Sequence, residues 1–253
     1  MNLKENIKYY VPVHNQIVDF NNINNLISIQ TGKNTIITKS TLSDNEYEDN
    51  ISYKNDIFAE LTALYYIWKN CKITPYIGIG QYKRWFDFTN ETPNLYIDVI
   101  KTLPRNNFFN SEFFNVFPDY ENILNEYDII MSTYICLGQS VKDQFIYCHT
   151  KQMYDILEYV VLTKSSDIKN SFIHVMNNDV ILAPHNMFIT KYNIFNEYCE
   201  WLFDICFDVE QYSIQHNIKL IPRCFGFMAE RLLNVFVYYK QLKMKQYPII
   251  QLY

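Results

Sequence analysis

The densest run of groups able to do chemistry in this chain is Gly78-Ile79-Gly80-Gln81-Tyr82-Lys83-Arg84-Trp85-Phe86. Two glycines within a strand let another backbone or a ligand approach closely. Lys83 and Arg84, just beyond them, can grip a pyrophosphate, arginine through its planar fork and lysine as a point charge. Tyr82, Trp85 and Phe86 offer ring faces to a base or a sugar. A charged strand edge that discourages pairing accounts for the same residues without any ligand. A second run spans Arg223-Cys224-Phe225-Gly226-Phe227-Met228-Ala229-Glu230-Arg231. The pattern predicts a helix from about Phe227 to Leu242, with Glu230 in its first turn, where the helix dipole favours a carboxylate. Near a ligand edge such a carboxylate would serve as general base toward a hydroxyl, and Arg223 would hold a diphosphate or another acidic group. The plainer reading pairs Glu230 with Arg231 or Arg223.

Other clusters offer less. Five histidines (His14, His149, His174, His185, His216) show no metal spacing such as HExxH. His14 and His149 have the stronger functional claim because they flank predicted element ends. Asn177-Asn178-Asp179 and Asp128 each supply one carboxylate, too little for a divalent cation site, which collects several oxygen ligands. With only 5 glycines the chain has no GxGxxG and no GxxxxGK[ST], so neither a dinucleotide fingerprint nor a P-loop is expected. No GxSxG or Cys/His pairing points to covalent catalysis. Six cysteines without a CxxC pair read as buried free thiols in a reducing compartment.

These groups must be positioned by a chain of 253 residues with 49% hydrophobic and 19% charged residues, enough for a real core. A net charge of −5 argues against nucleic acid as partner, since phosphate neutralisation needs surplus Lys and Arg. The polar start, with Lys4, Glu5 and Lys8, is unlike a signal peptide. No uncharged apolar run approaches a membrane span. A soluble, cytoplasmic protein is expected. The 22 Tyr and 18 Phe are what an AT-biased genome produces, so single tyrosines carry little weight.

Ile7 to Val13 reads as a first strand, and Ile27 to Thr38 holds a second around Gly32. Leu42 to Asn55 is polar and acidic and reads as a surface loop. A helix capped by Asn55 or Asp56 follows, with Leu61, Leu64, Tyr65 and Trp68 on one face. Strands are expected at Tyr76 to Gly80 and Tyr127 to Ser132, with a loop-rich stretch of one or two short helices over 87–126. Val141 to Leu162 reads as one helix, Asn178 to Thr190 as extended, and a long helix starts near Ile194. With no repeat or linker, residues 1–253 read as one α/β domain with a mostly parallel sheet flanked by helices. Ligands in such sheets bind outside the carboxyl ends of the strands. His14-Asn15, Gln81 to Arg84 and Ser132-Thr133 are therefore the places to look.

Four segments taken together resemble one family. They are Asp49-Asn-Ile-Ser-Tyr-Lys-Asn55 followed by Ala59-Glu-Leu-Thr-Ala-Leu-Tyr-Tyr-Ile-Trp-Lys-Asn70; Tyr76 to Phe86; Asn186-Met-Phe-Ile189 with Phe195 to Phe203; and Gly226-Phe-Met-Ala-Glu-Arg-Leu-Leu-Asn234. They resemble a bacterial and viral family long catalogued as a domain of unknown function. It is associated with capsular and exopolysaccharide synthesis and counted among glycosyltransferases, with galactofuranosyl transfer among its suggested activities. The resemblance covers nearly the whole chain and implies a GT-A-like fold and a nucleotide-sugar-dependent transferase. His14 matches an early His-Lys position, with Asn15 in place of the Lys. Gln81 stands where the family has His, and Lys83 where it has the first Arg. His149 matches a His in the family's Tyr-rich helix.

The resemblance implies transfer of a hexose from a nucleotide diphosphate sugar to a hydroxyl of a glycan acceptor by direct, inverting displacement. Lys83, Arg84 and Arg223 would hold the donor with His14, Gln81 and Tyr82, and Glu230 would be the catalytic base. Glu60, Thr62, His149 and Asn186 would shape the substrate site. The DxD that holds Mn²⁺ or Mg²⁺ in typical GT-A enzymes has no equivalent at Gln81 to Arg84, so no metal ligand is assigned and no cofactor is firmly expected. Cationic side chains would stand in for the ion, while dependence on Mn²⁺ or Mg²⁺ stays open. The expected partners are the nucleotide sugar and the glycan; peripheral membrane contact and a homo-oligomer are both compatible with this reading. Two alternatives remain: a non-catalytic glycan-binding or scaffold module, and a nucleotide-sugar hydrolase.

Overall fold

In the computed structural model the residues described are 6–14, 25–32, 42–89, 99–104 and 117–253. The first part of the chain forms β1 (Ile7–Val13), β2 (Leu26–Gln30), β3 (Leu42–Ser43), a 3₁₀ turn at Ser52–Lys54, α1 (Asn55–Phe58) and α2 (Leu61–Asn70). There follow β4 (Tyr76–Ile79), β5 (Arg84–Phe86), β6 (Val99–Leu103), α3 (Tyr120–Glu126), β7 (Ile129–Ser132) and β8 (Ile135–Cys136). Three helices come next, α4 (Val141–Cys148), α5 (Lys151–Leu162) and α6 (Ser166–Asn178). The chain then runs through β9 (Ile181–Leu182), β10 (Phe188–Lys191), α7 (Tyr192–Gln215), α8 (Cys224–Tyr239), β11 (Met244–Tyr247) and β12 (Ile249–Leu252).

The central sheet has seven strands in the order β11-β7-β10-β4-β1-β2-β3, parallel except for β10, which runs against both β4 and β7. The mostly parallel α/β architecture expected from the alternation of elements is thus what the chain adopts. From β1 the chain steps to β2 and β3 on one side, then returns with β4 on the other. That reversal between β1 and β4 is a topological switch point, where open α/β sheets form a crevice at the strands' carboxyl ends.

Each face of the sheet carries its own core. Tyr10, Ile77, Ile79 and Phe188 point toward α2, α5, α7 and α8. On the opposite face Ile7, Tyr9, Val11 and Ile189 pack against Trp85, Phe86 and Ile250 of the small sheet β5-β12-β6 and against Leu124 of α3. Burial on both faces explains why IKYYVPV is nearly continuously apolar rather than alternating.

Pro12 sits in this central strand without breaking it. Odd positions of β1 direct their N–H groups to β2, as when Tyr9 N donates to Asn25 O at 2.8 Å. The nitrogen of Pro12 therefore faces the β4 side, where the register ends at Tyr10↔Ile79 and the last bond to β1 is Gly80 N donating to Tyr10 O at 2.8 Å. A proline is tolerated where no ladder bond is needed.

Several expected elements are corrected. The helix expected after Asn55 is interrupted at Ala59, which takes φ 50° and ψ −131°. Val141 to Leu162 is two helices, because Thr150 caps a new one by accepting from Met153 N. The stretch 166–178, given no helix in the sequence reading, is α6, with Phe172, Val175 and Met176 buried at helical spacing. The Leu42 to Asn55 loop is anchored by Asp44, which is 0% exposed and accepts from Gly32 N and from Ser52 Oγ at 2.6 Å. The second strand ends before Gly32, and residues 33–38 of that expectation lie outside the described residues, as do Asn15 and much of 87–126. All six cysteines are free, but Cys136 and Cys148 are exposed rather than buried. Among the described residues no helix is long and apolar enough to cross a membrane.

Gly78 in β4 and Gly80 just beyond it make room for a side chain of the neighbouring strand. A Cβ on Gly78 or Gly80 would overlap the ring of Tyr9, which lies flat across them. Gly78→Ala is expected to lower stability by about 1–3 kcal/mol through overpacking, read as a reduced urea midpoint at unchanged m-value. A midpoint equal to wild type would show that Tyr9 can yield.

Candidate active site

At the switch point a cleft of about 480 Å³ opens between the ends of β1 and β4 and the start of α8. Seven sequence-predicted residues line it: His14, Glu60, Gln81, Tyr82, Lys83, Arg84 and Arg223. Thr31, Asn55 and Asp56 complete its polar wall. Asn55 closes one of the family-like segments and stands with Asp56 at a helix start, but the sequence reading assigns neither to the site, and Thr31 is marked only by its place after β2.

The cations stand on the rim. Lys83 and Arg223 are exposed, and Arg223 lies over the Phe227 ring at 5.4 Å. Arg84 is half-buried and its NH1 donates to Gln81 Oε1 at 2.7 Å, while Gln81 Nε2 donates to the His185 carbonyl. Gln81 thus acts as a strut that aims the guanidinium. Arg84 Nε is buried without a hydrogen-bond partner, and such an orphan donor in a native protein calls for a cause.

Glu60 is set into the wall by the break at Ala59. Its Oε1 accepts from Asn186 Nδ2 at 2.9 Å, and Asn186 also donates to the Gly226 carbonyl at 3.1 Å. Desolvation raises the Glu60 carboxyl above its ordinary pKa; the Asn186 hydrogen bond opposes this, the charge of Glu230 adds to it and Arg223 draws it down. A Cβ on Gly226 would come within 3.3 Å of Glu60 Oε2, so glycine there leaves the carboxyl its room. Asn186 Oδ1 is buried with no partner.

Four non-glycine residues around the cleft hold positive φ: Ala59 at 50°, His185 at 83°, Asn186 at 50° and Arg223 at 62°. Each such residue costs about 1–3 kcal/mol, and clustering of this kind is a mark of functional sites.

The remaining predicted residues lie behind or beside the cleft. Thr62 is 0% exposed and its hydroxyl donates to the Ala59 carbonyl at 3.1 Å, so it braces the break. Glu230 is not in the first turn of α8, which begins at Cys224; it sits in the second, and its Oε2 accepts from Arg231 NH1 at 2.9 Å. The pairing with Arg231 is therefore present, and Glu230 lies too far into the helix for the dipole at its N-terminus to favour the carboxylate. Ser132 and Thr133 are fully buried and do not line the cleft.

A family model described as a domain of unknown function (DUF4422) matches residues 8–241. The chain belongs to the DUF4422 family. No curated protein matches it. It is similar to the solved apo structure of the WbbM bifunctional glycosyltransferase, with a TM-score of 0.80 and 24% sequence identity over 97% of this chain and 45% of that one. At that identity the likeness shows the fold, and the chain spans less than half the length of the WbbM chain.

His149 of this DUF4422 chain stacks on Phe227 at 3.9 Å and meets Phe145 edge-on at 4.9 Å. Burial, with a smaller push from Arg231, holds its pKa down to about 4. Between the ordinary histidine value and about 4 the unfolded chain binds a proton that the folded one refuses, so stability falls as pH drops through that window. His149→Phe is expected to flatten this part of the urea-midpoint profile. An unchanged slope would place the acid sensitivity elsewhere.

Proposed function

We propose that this chain is a nucleotide-sugar-dependent glycosyltransferase that transfers a hexose to a hydroxyl of a growing polysaccharide. The observation that carries the reading is the cleft itself, in which three cations, Lys83, Arg84 and Arg223, face a desolvated carboxyl group, Glu60, across the carboxyl ends of β1 and β4. Cations at the rim suit a diphosphate, and preorganised positive charge stabilises it as it departs. The likeness to the WbbM fold supports the same reaction class, and galactofuranose is the sugar proposed.

In this reading Lys83, Arg84 and Arg223 hold the donor diphosphate, His14 and Tyr82 flank it, and Gln81 aims Arg84. The acceptor hydroxyl lies against Glu60. Its oxygen attacks the anomeric carbon as the nucleoside diphosphate leaves from the opposite face, and its proton passes to Glu60, giving inversion. The base role moves from Glu230 to Glu60 because Glu60 lines the cleft and burial favours its protonated form, whereas the Glu230 carboxylate is committed to Arg231. The carboxylates of the cleft are Asp56 and Glu60, and among the described residues no group of three or more His, Cys, Asp or Glu side chains gathers there. No step here runs through a metal.

The test is a thermal-shift screen against nucleotide sugars with Mn²⁺ or EDTA, followed by release of nucleoside diphosphate with and without acceptor glycans. Ligand at a hundredfold over its Kd stabilises by about 2.7 kcal/mol, or roughly 5–11 °C at this size. One nucleotide sugar should give that shift irrespective of metal, and Lys83→Ala/Arg223→Ala should abolish it. No shift with any nucleotide sugar would overturn the reading. Release at the same rate without acceptor would make the chain a hydrolase.

A further inference from the structure

A second cavity, of about 710 Å³, lies beyond β7 and β11, walled by α6 and the C-terminal half of α8. Its size falls in the range of about 300–1,000 Å³ typical of small-molecule sites, and nothing in the transfer reading uses it. Its chemistry differs from that of the cleft in one respect that narrows the ligand. None of its lining residues is Lys, Arg or His, and it carries two carboxylates, Asp167 and Asp179. A nucleotide, a phosphate or any other anion would meet two carboxylates there, and the one basic group beside them, His174, lies 3.7 Å from Asp179 Oδ1 and behind the Tyr238 ring rather than in the lining. A metal ion fits no better, since no group of three or more His, Cys, Asp or Glu side chains forms among the described residues.

What the lining offers is ring faces and hydrogen-bonding groups over an apolar floor. Met131, Val175 and Leu242 are among the floor residues. Tyr238 is 47% exposed, yet its ring is fixed by stacking on His174 at 4.4 Å and 15°. The half-buried Tyr134 phenol lies close enough to Asp179 to feel its charge and bonds no described residue. Asn170 adds an exposed amide at the mouth. Braced aromatic rings that accept the C–H face of a pyranose or furanose, beside carboxylate and amide groups that accept and donate to hydroxyls, suit a neutral polyol.

We infer that this cavity is a binding subsite for a neutral oligosaccharide, separate from the cleft. Glu230, Asn234 and Tyr238 follow one another at four-residue spacing on one face of α8, so the cavity's Tyr238 stands about 12 Å along the helix from the cleft's neighbour Glu230. If the transfer reading also holds, the subsite would retain a remote part of the acceptor glycan. Saccharide binding itself does not depend on that reading.

The experiment is a glycan array of neutral gluco-, galacto- and manno-oligosaccharides, then titration of the strongest binder into wild type, Tyr238→Ala, Asp179→Asn and Asn170→Ala. All three positions are at least partly exposed, and thermal midpoints will show that each variant folds. Tyr238→Ala is expected to weaken binding about tenfold or more, and each polar variant to weaken it measurably. The nucleotide-sugar thermal shift should stay at its wild-type value in all three, which separates failure here from failure of the transferase reading. No binding of any neutral glycan, or binding unaltered in all three variants, would overturn the inference. A concentration-dependent dimer abolished by Tyr238→Ala would overturn it in favour of a contact between copies of this chain.

Discussion

Glu60→Gln is expected to lower the rate of acceptor-dependent transfer by about 100-fold or more while leaving the nucleotide-sugar thermal shift intact. The amide keeps the size of the side chain and an oxygen for Asn186 Nδ2, so the wall of the cleft should hold. What it removes is the group that takes the acceptor's proton. Desolvation raises the carboxyl pKa, so the rate should fall with decreasing pH above the ordinary glutamate range, not within it. Asn186→Ala should push that acid limb higher still, because the hydrogen bond it removes favours the charged form.

The same desolvation acts on folding with a fixed sign. A carboxyl whose folded pKa is raised contributes stability below its unfolded pKa and loses that contribution as pH rises through the folded value. Glu60→Gln should therefore be more stable than wild type near neutral pH, a gain that vanishes in acid. A stabilised protein that has lost turnover but still binds donor is the signature of a catalytic carboxylate, and no structural role predicts it. Full turnover in Glu60→Gln would remove Glu60 from the chemistry.

How far the residues announced this arrangement depends on which link is considered. IKYYVPV is apolar on both faces, and so reads as a central strand; Gln81 to Arg84 falls at the end of another; both sit at the switch point that topology demands. The convergence of Arg223 on the same cleft was legible because a helix start follows it. The break at Ala59 was not legible. Alanine is a strong helix former, and its positive φ is held by local side-chain bonds that hydrophobic periodicity does not reveal: the Asn55 Nδ2 donor to the Ala59 carbonyl at 2.8 Å and the Thr62 hydroxyl, which donates to the same carbonyl at 3.1 Å. Without that break Glu60 reads as one more helical position. Gly78 and Gly80 were misleading for a related reason, since the object that needs the space is Tyr9, distant in sequence and adjacent only once β1 pairs with β4. Position of an element was readable from periodicity; which of two close groups faces the cleft was decided by contacts between elements.

That distinction bears most on Glu230, for which a large loss of stability is expected rather than loss of the base. Arg231 is 3% exposed. Its guanidinium donates to Glu230 Oε2 at 2.9 Å, to the Phe227 carbonyl at 3.0 Å and to Gln144 Oε1 at 2.5 Å, while its Nε is left without a partner. Burial alone lowers the Arg231 pKa, and Glu230 is the main group that restores the charged form. Glu230→Ala leaves a buried cation without its counter-ion, a change that costs about 3–5 kcal/mol in buried pairs. Because Glu230 itself keeps 23% of its side-chain exposure, water can enter and the lower end, about 3 kcal/mol, is expected. Glu230→Ala/Arg231→Leu should recover part of that loss, giving a coupling energy that the double-mutant cycle reads directly. The milder Glu230→Gln keeps an acceptor for Arg231 and tests catalysis without unfolding the protein. Removing a like charge beside Glu60 should move the acid limb of the rate profile to lower pH. If instead the limb disappears with the activity, Glu230 is the base and Glu60 its neighbour.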